Sequence, residues 1–323
     1  MNRIFVLISV LLVNVTGCAT ISKDPALLTF DQSKLPPANV SLSIPGLGPC
    51  TNNPDRTLHL NSQQPVTVLV HGCRGSTGNF RALAEVMAFH GQQTACFTYN
   101  DRASLMVSSA QLAASLDTLT GQTRNKEVTV IGHSQGALIA RKALVAERPQ
   151  PMRSSDAKLR LVTISGPFSG IASAQQCGKP TPLMMVLTLG LVQPLCKIVS
   201  GDKWFEITSA SNFIRQPGEL LGQVQTHLKI DTDERGTCRQ FNEAGVCTES
   251  DYVFSLDEQI HAPVDETAGL KKIEVKAGHV EIVGDQRVAP RKLIAVLQQN
   301  GILNPTEEKR SAAFSRLLTR LYE

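Results

Sequence analysis

Residues 128–140 have the sequence Val-Thr-Val-Ile-Gly-His-Ser-Gln-Gly-Ala-Leu-Ile-Ala, and their character changes from strand to helix within one turn. The first four favour a buried strand, and the segment 137–146 consists mostly of helix-forming residues. Ser134 lies between them, two residues from Gly132 and two from Gly136. A side chain at either glycine would collide with neighbouring backbone in so sharp a turn. The stretch therefore predicts a strand, a tight turn with Ser134 at its tip, and a helix.

The same alternation of short apolar runs and helix-period segments continues on both sides of this turn. Such a pattern is typical of βαβ units and of a parallel sheet that is buried on both faces. We therefore expect one α/β domain, with a mainly parallel central sheet and helices on both faces. The predicted strands are 66–70, 94–99, 127–131, 159–164, 225–230, 252–256 and 272–276, and the predicted helices are 79–90, 105–119, 137–146 and 290–300.

The alternation breaks down over about 166–250, which we interpret as an insertion into the domain. Within it, Leu183–Val192 is almost wholly apolar and is too short to cross a bilayer. One interpretation is a lid helix over an acyl pocket, and the other is a helix packed permanently on the core. The domain is expected to span 39–303, and the tail 304–323 is expected to form an amphipathic helix on the surface.

The N-terminus has the features of an export signal. Arg3 precedes the apolar run 4–15, and Val15-Thr16-Gly17-Cys18 resembles the bacterial lipobox. The resemblance implies a signal peptide over 1–17, lipid on Cys18, and a tether over 18–38 that leaves the protein anchored to the outer membrane. The alternatives are an ordinary secretory peptide cut near Ala19 and an uncut anchor.

The composition agrees with an exported globular protein. Hydrophobic residues make up 42% of the 323 residues and charged residues 19%, with a net charge of +4. No block of Lys and Arg with aromatic residues predicts nucleic-acid binding, and no His, Cys and Asp cluster has the spacing of a metal site. Export favours pairing of the cysteines after Cys18, with Cys177–Cys196 and Cys238–Cys247 as the expected bridges. One pair and one free thiol would then remain among the other three cysteines, at 50, 73 and 96.

The turn around Ser134 matches the nucleophile-elbow pattern G-x-S-x-G, so Ser134 is the candidate nucleophile. The segment Val70-His71-Gly72-Cys73 ends an earlier strand, and the backbone N–H of Cys73 is expected to face the same site. Together with the N–H of Gln135 it would hold the oxyanion of a tetrahedral intermediate, at about 3 kcal/mol per donor. His71 itself is interpreted as a structural residue.

The acid and the general base are expected to follow Ser134 in the chain, because sites with a nucleophile elbow have the chain order serine, acid, histidine. His279 follows the strand 272–276 and precedes the last helix, so it is the predicted base, with His227 and His261 as weaker candidates. Asp257 is the predicted acid, because it follows the predicted strand 252–256. The remaining candidates for the acid are Asp231, Asp233 and Glu258.

With these motifs, residues 64–300 resemble an α/β-hydrolase related to bacterial lipases. The resemblance implies cleavage of a carboxylic ester, with small molecules or lipids as substrates, through an acyl-serine intermediate and without an organic cofactor. Thioester and amide bonds stay open, because the same residues can cleave all three. The alternative from another class is a non-catalytic envelope lipoprotein that uses the fold to bind a partner or a lipid.

Overall fold

A seven-stranded sheet forms the centre of the computed structural model, which describes residues 33–73, 75–147, 154–175, 201 and 203–322. The strands of this sheet are β2 (Leu47–Gly48), β4 (Val66–Val70), β5 (Gln93–Phe97), β6 (Glu127–His133), β7 (Lys158–Ile164), β8 (Val224–Asp233) and β11 (Leu270–Lys276). Their order in the sheet is β11-β8-β7-β6-β4-β5-β2. All neighbours are parallel except β2, which pairs antiparallel with β5 at one edge. The α/β prediction with a mainly parallel sheet is confirmed.

Two small antiparallel pairs accompany the sheet: β1 (Val40–Leu42) with β3 (Leu58–Leu60), and β9 (Cys238–Phe241) with β10 (Cys247–Ser250). The described helices are α1 (Arg81–Phe89), α2 (Leu105–Gln122), α3 (Gln135–Ala143), α4 (Lys203–Glu206), α5 (Asn212–Arg215), α6 (Leu256–Gln259), α7 (Ala262–Asp265), α8 (Arg291–Gln299) and α9 (Ser311–Tyr322). Short 3-10 turns occupy Thr77–Phe80, Ala172–Ala174 and Glu308–Arg310.

Two apolar cores cover the two faces of the sheet. Val68 and Val70 of β4 face the core that contains α2 and α3, whereas Leu69 between them faces the core that contains α1 and α8. This alternation follows from the two-residue period of a strand, which sends successive side chains to opposite faces. Burial on both faces explains why the strands are continuous apolar runs, and it leaves the carboxyl ends of the strands as the edge where polar groups gather.

The prediction differs most from the structure around β8. This strand extends to Asp233, three residues beyond the predicted end, because β11 pairs with it as far as Lys276. The predicted strand 252–256 is wrong: the amides of Val253 and Phe254 donate to the carboxylate of Glu234 instead of to a strand. Residues 256–259 then form α6. The apolar residues of 252–256 resemble a strand in sequence. In the structure the side chain of Glu234, and not a neighbouring strand, accepts from their amides.

Two disulfides join described residues, Cys50–Cys96 and Cys238–Cys247. The second confirms a predicted bridge, and it closes the β9–β10 hairpin. Cys73 is also disulfide-bonded, so the free thiol expected among the three remaining cysteines is wrong. The predicted bridge Cys177–Cys196, the apolar segment Leu183–Val192 and Cys18 lie outside the described residues.

The two ends of the described chain meet beside α1. The N–H of Lys34 donates to the carbonyl of Ala88 at 3.0 Å, and the Lys34 ammonium pairs with Glu307. The predicted tail helix is present as α9, which packs Phe314 against Phe89 with ring centroids 5.3 Å apart. Among the described residues, none of the helices has the length and hydropathy to cross a bilayer, and no cluster of His, Cys, Asp and Glu could hold a metal ion.

Candidate active site

Ser134 lies at the tip of the turn between β6 and α3, with φ of 57° and ψ of −126°. A serine rarely adopts this left-handed backbone, because its Cβ approaches neighbouring carbonyl groups. The strain is tolerated because both sides of the turn are fixed: the N–H of Ser134 donates to the carbonyl of Ile164 at 2.9 Å, and its carbonyl accepts from Ala137 at 3.0 Å. The turn predicted from the glycine spacing is therefore present at the carboxyl edge of the sheet.

The two flanking glycines are required by close backbone approach. A Cβ at Gly136 would lie 2.2 Å from the carbonyl oxygen of Val70, and one at Gly132 would lie 2.3 Å from the carbonyl oxygen of Gly136. Real Cβ atoms do not come this close to backbone oxygens, so either substitution would force β4, β6 and α3 apart. Glycine at both positions lets the helix begin directly against the end of the central strand.

The loop after β4 lies against Ser134. A Cβ on Gly72 would be 2.9 Å from the Cβ of Ser134 and 3.4 Å from its hydroxyl oxygen, so the backbone of Gly72 borders the hydroxyl. His71 holds this loop: its ring stacks on Tyr99 at 4.4 Å, and its carbonyl accepts from the Tyr99 hydroxyl at 2.6 Å. Burial lowers the pKa of His71, which suits a neutral structural ring. Gly72, the residue before Cys73, thus lies against the turn that leads into Gln135, the first residue of α3.

Lys203 lies beside the disulfide-bonded side chain of Cys73. Its buried ammonium is 3.2 Å from the Cys73 sulfur and 3.3 Å from the carboxylate of Asp101. The side-chain amide of Gln135 donates to the Asp101 carbonyl at 3.3 Å. The side chains of both predicted oxyanion residues therefore contact this pair, Cys73 through the ammonium of Lys203 and Gln135 through the backbone carbonyl of Asp101.

A buried carboxylate and imidazole form a pair at the same edge. His279 follows β11, as predicted, and its Nδ1 donates to Oε1 of Glu234 at 2.7 Å. Glu234 follows directly on β8 and is 1% exposed. The other oxygen of this carboxylate, Oε2, accepts from the amides of Val253 at 2.7 Å and Phe254 at 3.2 Å. These bonds fix the plane of the carboxylate and orient the imidazole that it holds.

The backbone of His279 is fixed from both sides. Its N–H donates to the carbonyl of Asp251 at 2.9 Å, and its carbonyl accepts from Nε2 of His133 at 3.0 Å. The rings of His133 and His279 are 4.7 Å apart, so the residue next to Ser134 in the chain touches the imidazole of His279. Burial lowers the pKa of His133 well below its usual value, so His133 is a neutral donor here.

Asp251 clamps the loop that carries His279. Its two carboxylate oxygens accept from the amides of Val280 and Glu281, each at 2.9 Å. Burial nevertheless raises the pKa of Asp251. The loop approaches so closely that a Cβ on Gly278 would lie 2.0 Å from Oδ2 of Asp251. The loop is therefore held by a side chain, rather than by packing alone.

The predicted acid, Asp257, does not pair with His279. It is exposed on the first turn of α6, and the carboxylate that pairs with His279 is that of Glu234. The carboxylate of Glu258 caps α6 by accepting from Ser255 at 2.7 Å. Asp231 pairs with Lys229 at 2.6 Å, and Asp233 pairs with Arg235 at 2.8 Å. The correction follows from the two strand errors. The strand β8 continues to Asp233, directly before Glu234, whereas residues 252–255, which were expected to lead as a strand to Asp257, form none.

The weaker candidates for the base are engaged elsewhere. The Nε2 of His227 lies 2.9 Å from the hydroxyl of Thr163 inside the sheet, and burial lowers the pKa of His227 to about 3. His261 precedes α7 as its N-cap residue, and burial lowers its pKa as well. Among the described histidines, His279 is therefore the one that combines a carboxylate partner with proximity to the Ser134 turn.

Comparisons with known proteins agree with this architecture. The palmitoyl protein thioesterase family model matches residues 65–221, a range that contains Ser134 and ends before Glu234 and His279. A search of curated protein sequences found no match. The mature form of the lipase BlEst2 of Bacillus licheniformis is similar in structure, with a TM-score of 0.50 and 15% identity over 80% of this chain and 97% of that one.

The propeptide form of the same lipase gives a TM-score of 0.51 at 15% identity, over 81% of this chain and 54% of that one. At 15% identity the similarity concerns the fold alone. The strand order of this chain and its turn between β6 and α3 agree with that similarity. The chain has the α/β-hydrolase fold.

Proposed function

We propose that the chain is a serine hydrolase that cleaves carboxylic ester-type bonds through an acyl-serine intermediate. The observation that carries the proposal is the 2.7 Å hydrogen bond between His279 and the buried Glu234, beside the strained turn of Ser134. A serine in left-handed backbone and a paired imidazole at one sheet edge are costly features that a binding protein does not need.

The proposed reaction begins when Nε2 of His279 takes the proton of the Ser134 hydroxyl and the oxygen attacks the carbonyl carbon. The amides of Cys73 and Gln135 donate to the oxyanion that forms. Glu234 stabilises the imidazolium, which then gives its proton to the leaving group as the acyl-serine forms. A water molecule, activated by the same imidazole, releases the acid and restores Ser134.

A thioester is the second candidate substrate, and the match to the palmitoyl protein thioesterase model favours it. That match covers the nucleophile turn and the predicted oxyanion loop, the two parts that contact the reacting carbonyl group. The chemistry of the two substrates differs at the leaving group, because a thiolate needs less help from the acid than an alkoxide does. Oxygen esters and thioesters therefore have to be compared directly.

The decisive experiment is labelling with a fluorophosphonate probe, followed by peptide mapping. We expect one labelled site, Ser134, together with hydrolysis of a nitrophenyl ester and of a thioester with the same acyl chain. The ratio of kcat/KM for the pair identifies the preferred bond. A protein that takes up no label and hydrolyses neither substrate would instead fit the binding-protein alternative.

We further propose that the protein is anchored to a bacterial envelope membrane by lipid on Cys18. The support is the lipobox-like sequence Val15-Thr16-Gly17-Cys18 and the apolar run that precedes it. In an outer-membrane-bearing bacterial host, Cys18→Ala is expected to abolish incorporation of radiolabelled palmitate into the protein, whereas the wild type is labelled. Equal labelling of the variant would contradict the proposal.

A further inference from the structure

A chain of hydroxyl groups leads from the middle of the sheet to the carboxylate that holds His279. The hydroxyl of Ser165 lies 2.6 Å from that of Thr232, and the Thr232 hydroxyl donates to Oε1 of Glu234 at 3.1 Å. Oε1 is the same oxygen that accepts from Nδ1 of His279. The Thr232 hydroxyl has a single proton, and the carboxylate oxygen of Glu234 at 3.1 Å is a nearer and stronger acceptor than the amide oxygen of Gln259 at 3.4 Å. With that proton given to Glu234, the hydroxyl of Ser165 is the donor in the first bond.

Every member of this chain is removed from solvent. Ser165 and Thr232 are fully buried, and Glu234 is 1% exposed. Because the groups are buried, each donor that is lost leaves a buried acceptor with one hydrogen bond fewer. A hydroxyl chain in this position therefore restricts the carboxylate more than an exposed one would.

The backbone of Ser165 supports a role for its side chain. It has φ of 46°, and with Ser134 it is one of two non-glycine residues in left-handed backbone among those described. Glycine would occupy this position, directly after β7, without strain. The neighbouring Gly166 shows that the chain uses glycine in this turn. A serine that accepts the strain and directs its hydroxyl at Thr232 indicates that the hydroxyl is used.

Thr232 is itself held by a side chain from α6. The strand β7 last pairs with β8 at Ile230, so one edge of Thr232 has no strand beside it. The side-chain amide of Gln259 fills this edge: its oxygen accepts from the Thr232 amide at 2.8 Å, and its nitrogen donates to the Thr232 carbonyl at 2.7 Å. The helix α6, where the acid Asp257 was expected, thus supplies the Gln259 amide that fixes β8 two residues before Glu234.

We propose that Ser165 and Thr232 are positioning residues that set the orientation of the Glu234 carboxylate, and through it that of the His279 imidazole. This inference rests on the proposed serine hydrolase function. The two hydroxyl groups touch neither the substrate nor Ser134. They act by restricting the carboxylate, so their loss should lower kcat and leave KM unchanged.

The test uses Thr232→Val, which removes the hydroxyl and keeps the shape of the side chain, and Thr232→Ser, which keeps the hydroxyl. We expect the valine variant to lose on the order of 10-fold in kcat, with KM within 2-fold, and the serine variant to restore most of the loss. Thr163→Val is the matched control, because it removes a buried hydroxyl that lies 2.9 Å from His227 and takes no part in the hydrogen bonds between Ser165, Thr232 and Glu234. We expect its kcat to stay within 2-fold of the wild type.

Ser165→Ala should also lower kcat, and the double variant with Thr232→Val should be no slower than Thr232→Val alone, because Ser165 acts only through Thr232. Thermal unfolding confirms that each variant is folded. An active wild type with equal kcat in Thr232→Val would overturn the inference alone, as would a valine loss that serine does not restore. A wild type that neither hydrolyses the ester nor takes up fluorophosphonate would overturn the proposed function itself.

Discussion

Ser134→Ala is expected to lower kcat for ester hydrolysis by about a million-fold, because alanine offers no oxygen to form the acyl intermediate. The alanine keeps the backbone geometry of the turn, so thermal unfolding should change little. A residual rate above that in water is expected, since the amides of Cys73 and Gln135 can still polarise a bound carbonyl group. The measurement is kcat with a nitrophenyl ester, beside the unfolding temperature.

The matched control is Ser41→Ala, which removes an exposed hydroxyl that lies 2.9 Å from His59 in the β1–β3 pair. Its kcat should equal that of the wild type. If Ser134→Ala retained the wild-type rate, Ser134 would not be the nucleophile, and the strained turn would need another explanation.

Glu234→Gln is expected to lower kcat on the order of 10,000-fold. The glutamine has nearly the same volume, but it carries no negative charge to stabilise an imidazolium at His279. Its amide group would also present a donor to some of the groups that now donate to the carboxylate. KM should change far less than kcat, because no substrate atom contacts this carboxylate in the proposed reaction.

Asp257→Asn separates the carboxylate that pairs with His279 in the structure, Glu234, from the acid predicted from the sequence. Asp257 is exposed on α6, so its variant should retain kcat within 2-fold. The reverse result, with a large loss for Asp257→Asn and none for Glu234→Gln, would show that the carboxylate paired with His279 is not the catalytic acid. Both variants keep the volume of the native residue, so packing does not confuse the comparison.

The sequence was sufficient wherever one local rule decides the structure. The glycines at 132 and 136 predicted the turn around Ser134, and β-branched runs predicted the parallel strands near their observed bounds. The position of His279 after the last strand was likewise predictable from chain order. What these features share is that each depends on residues close together in the chain.

Glu234, the proposed acid, could not be found in this way, because its position depends on pairing between distant segments. Residues 231–234 are polar, so the apolar pattern of β8 ends at Ile230, whereas the strand continues to Asp233 in register with β11. In the structure β11 is Leu270–Lys276, two residues longer than the predicted strand 272–276, and it pairs with β8 as far as the residue before Glu234. The apolar residues at 252–256 instead predicted a strand directly before Asp257, which the structure does not contain.

The end of β8 restricts the backbone of the proposed acid, Glu234. Its last residues extend beyond β7 but stay paired with β11 on one side and are closed by the amide of Gln259 on the other. Glu234 is therefore the first residue after the paired part of β8, and moving its backbone requires local opening of the sheet at that end. An acid on a mobile loop would reorient in each local fluctuation, whereas this one keeps its alignment as long as the domain remains folded.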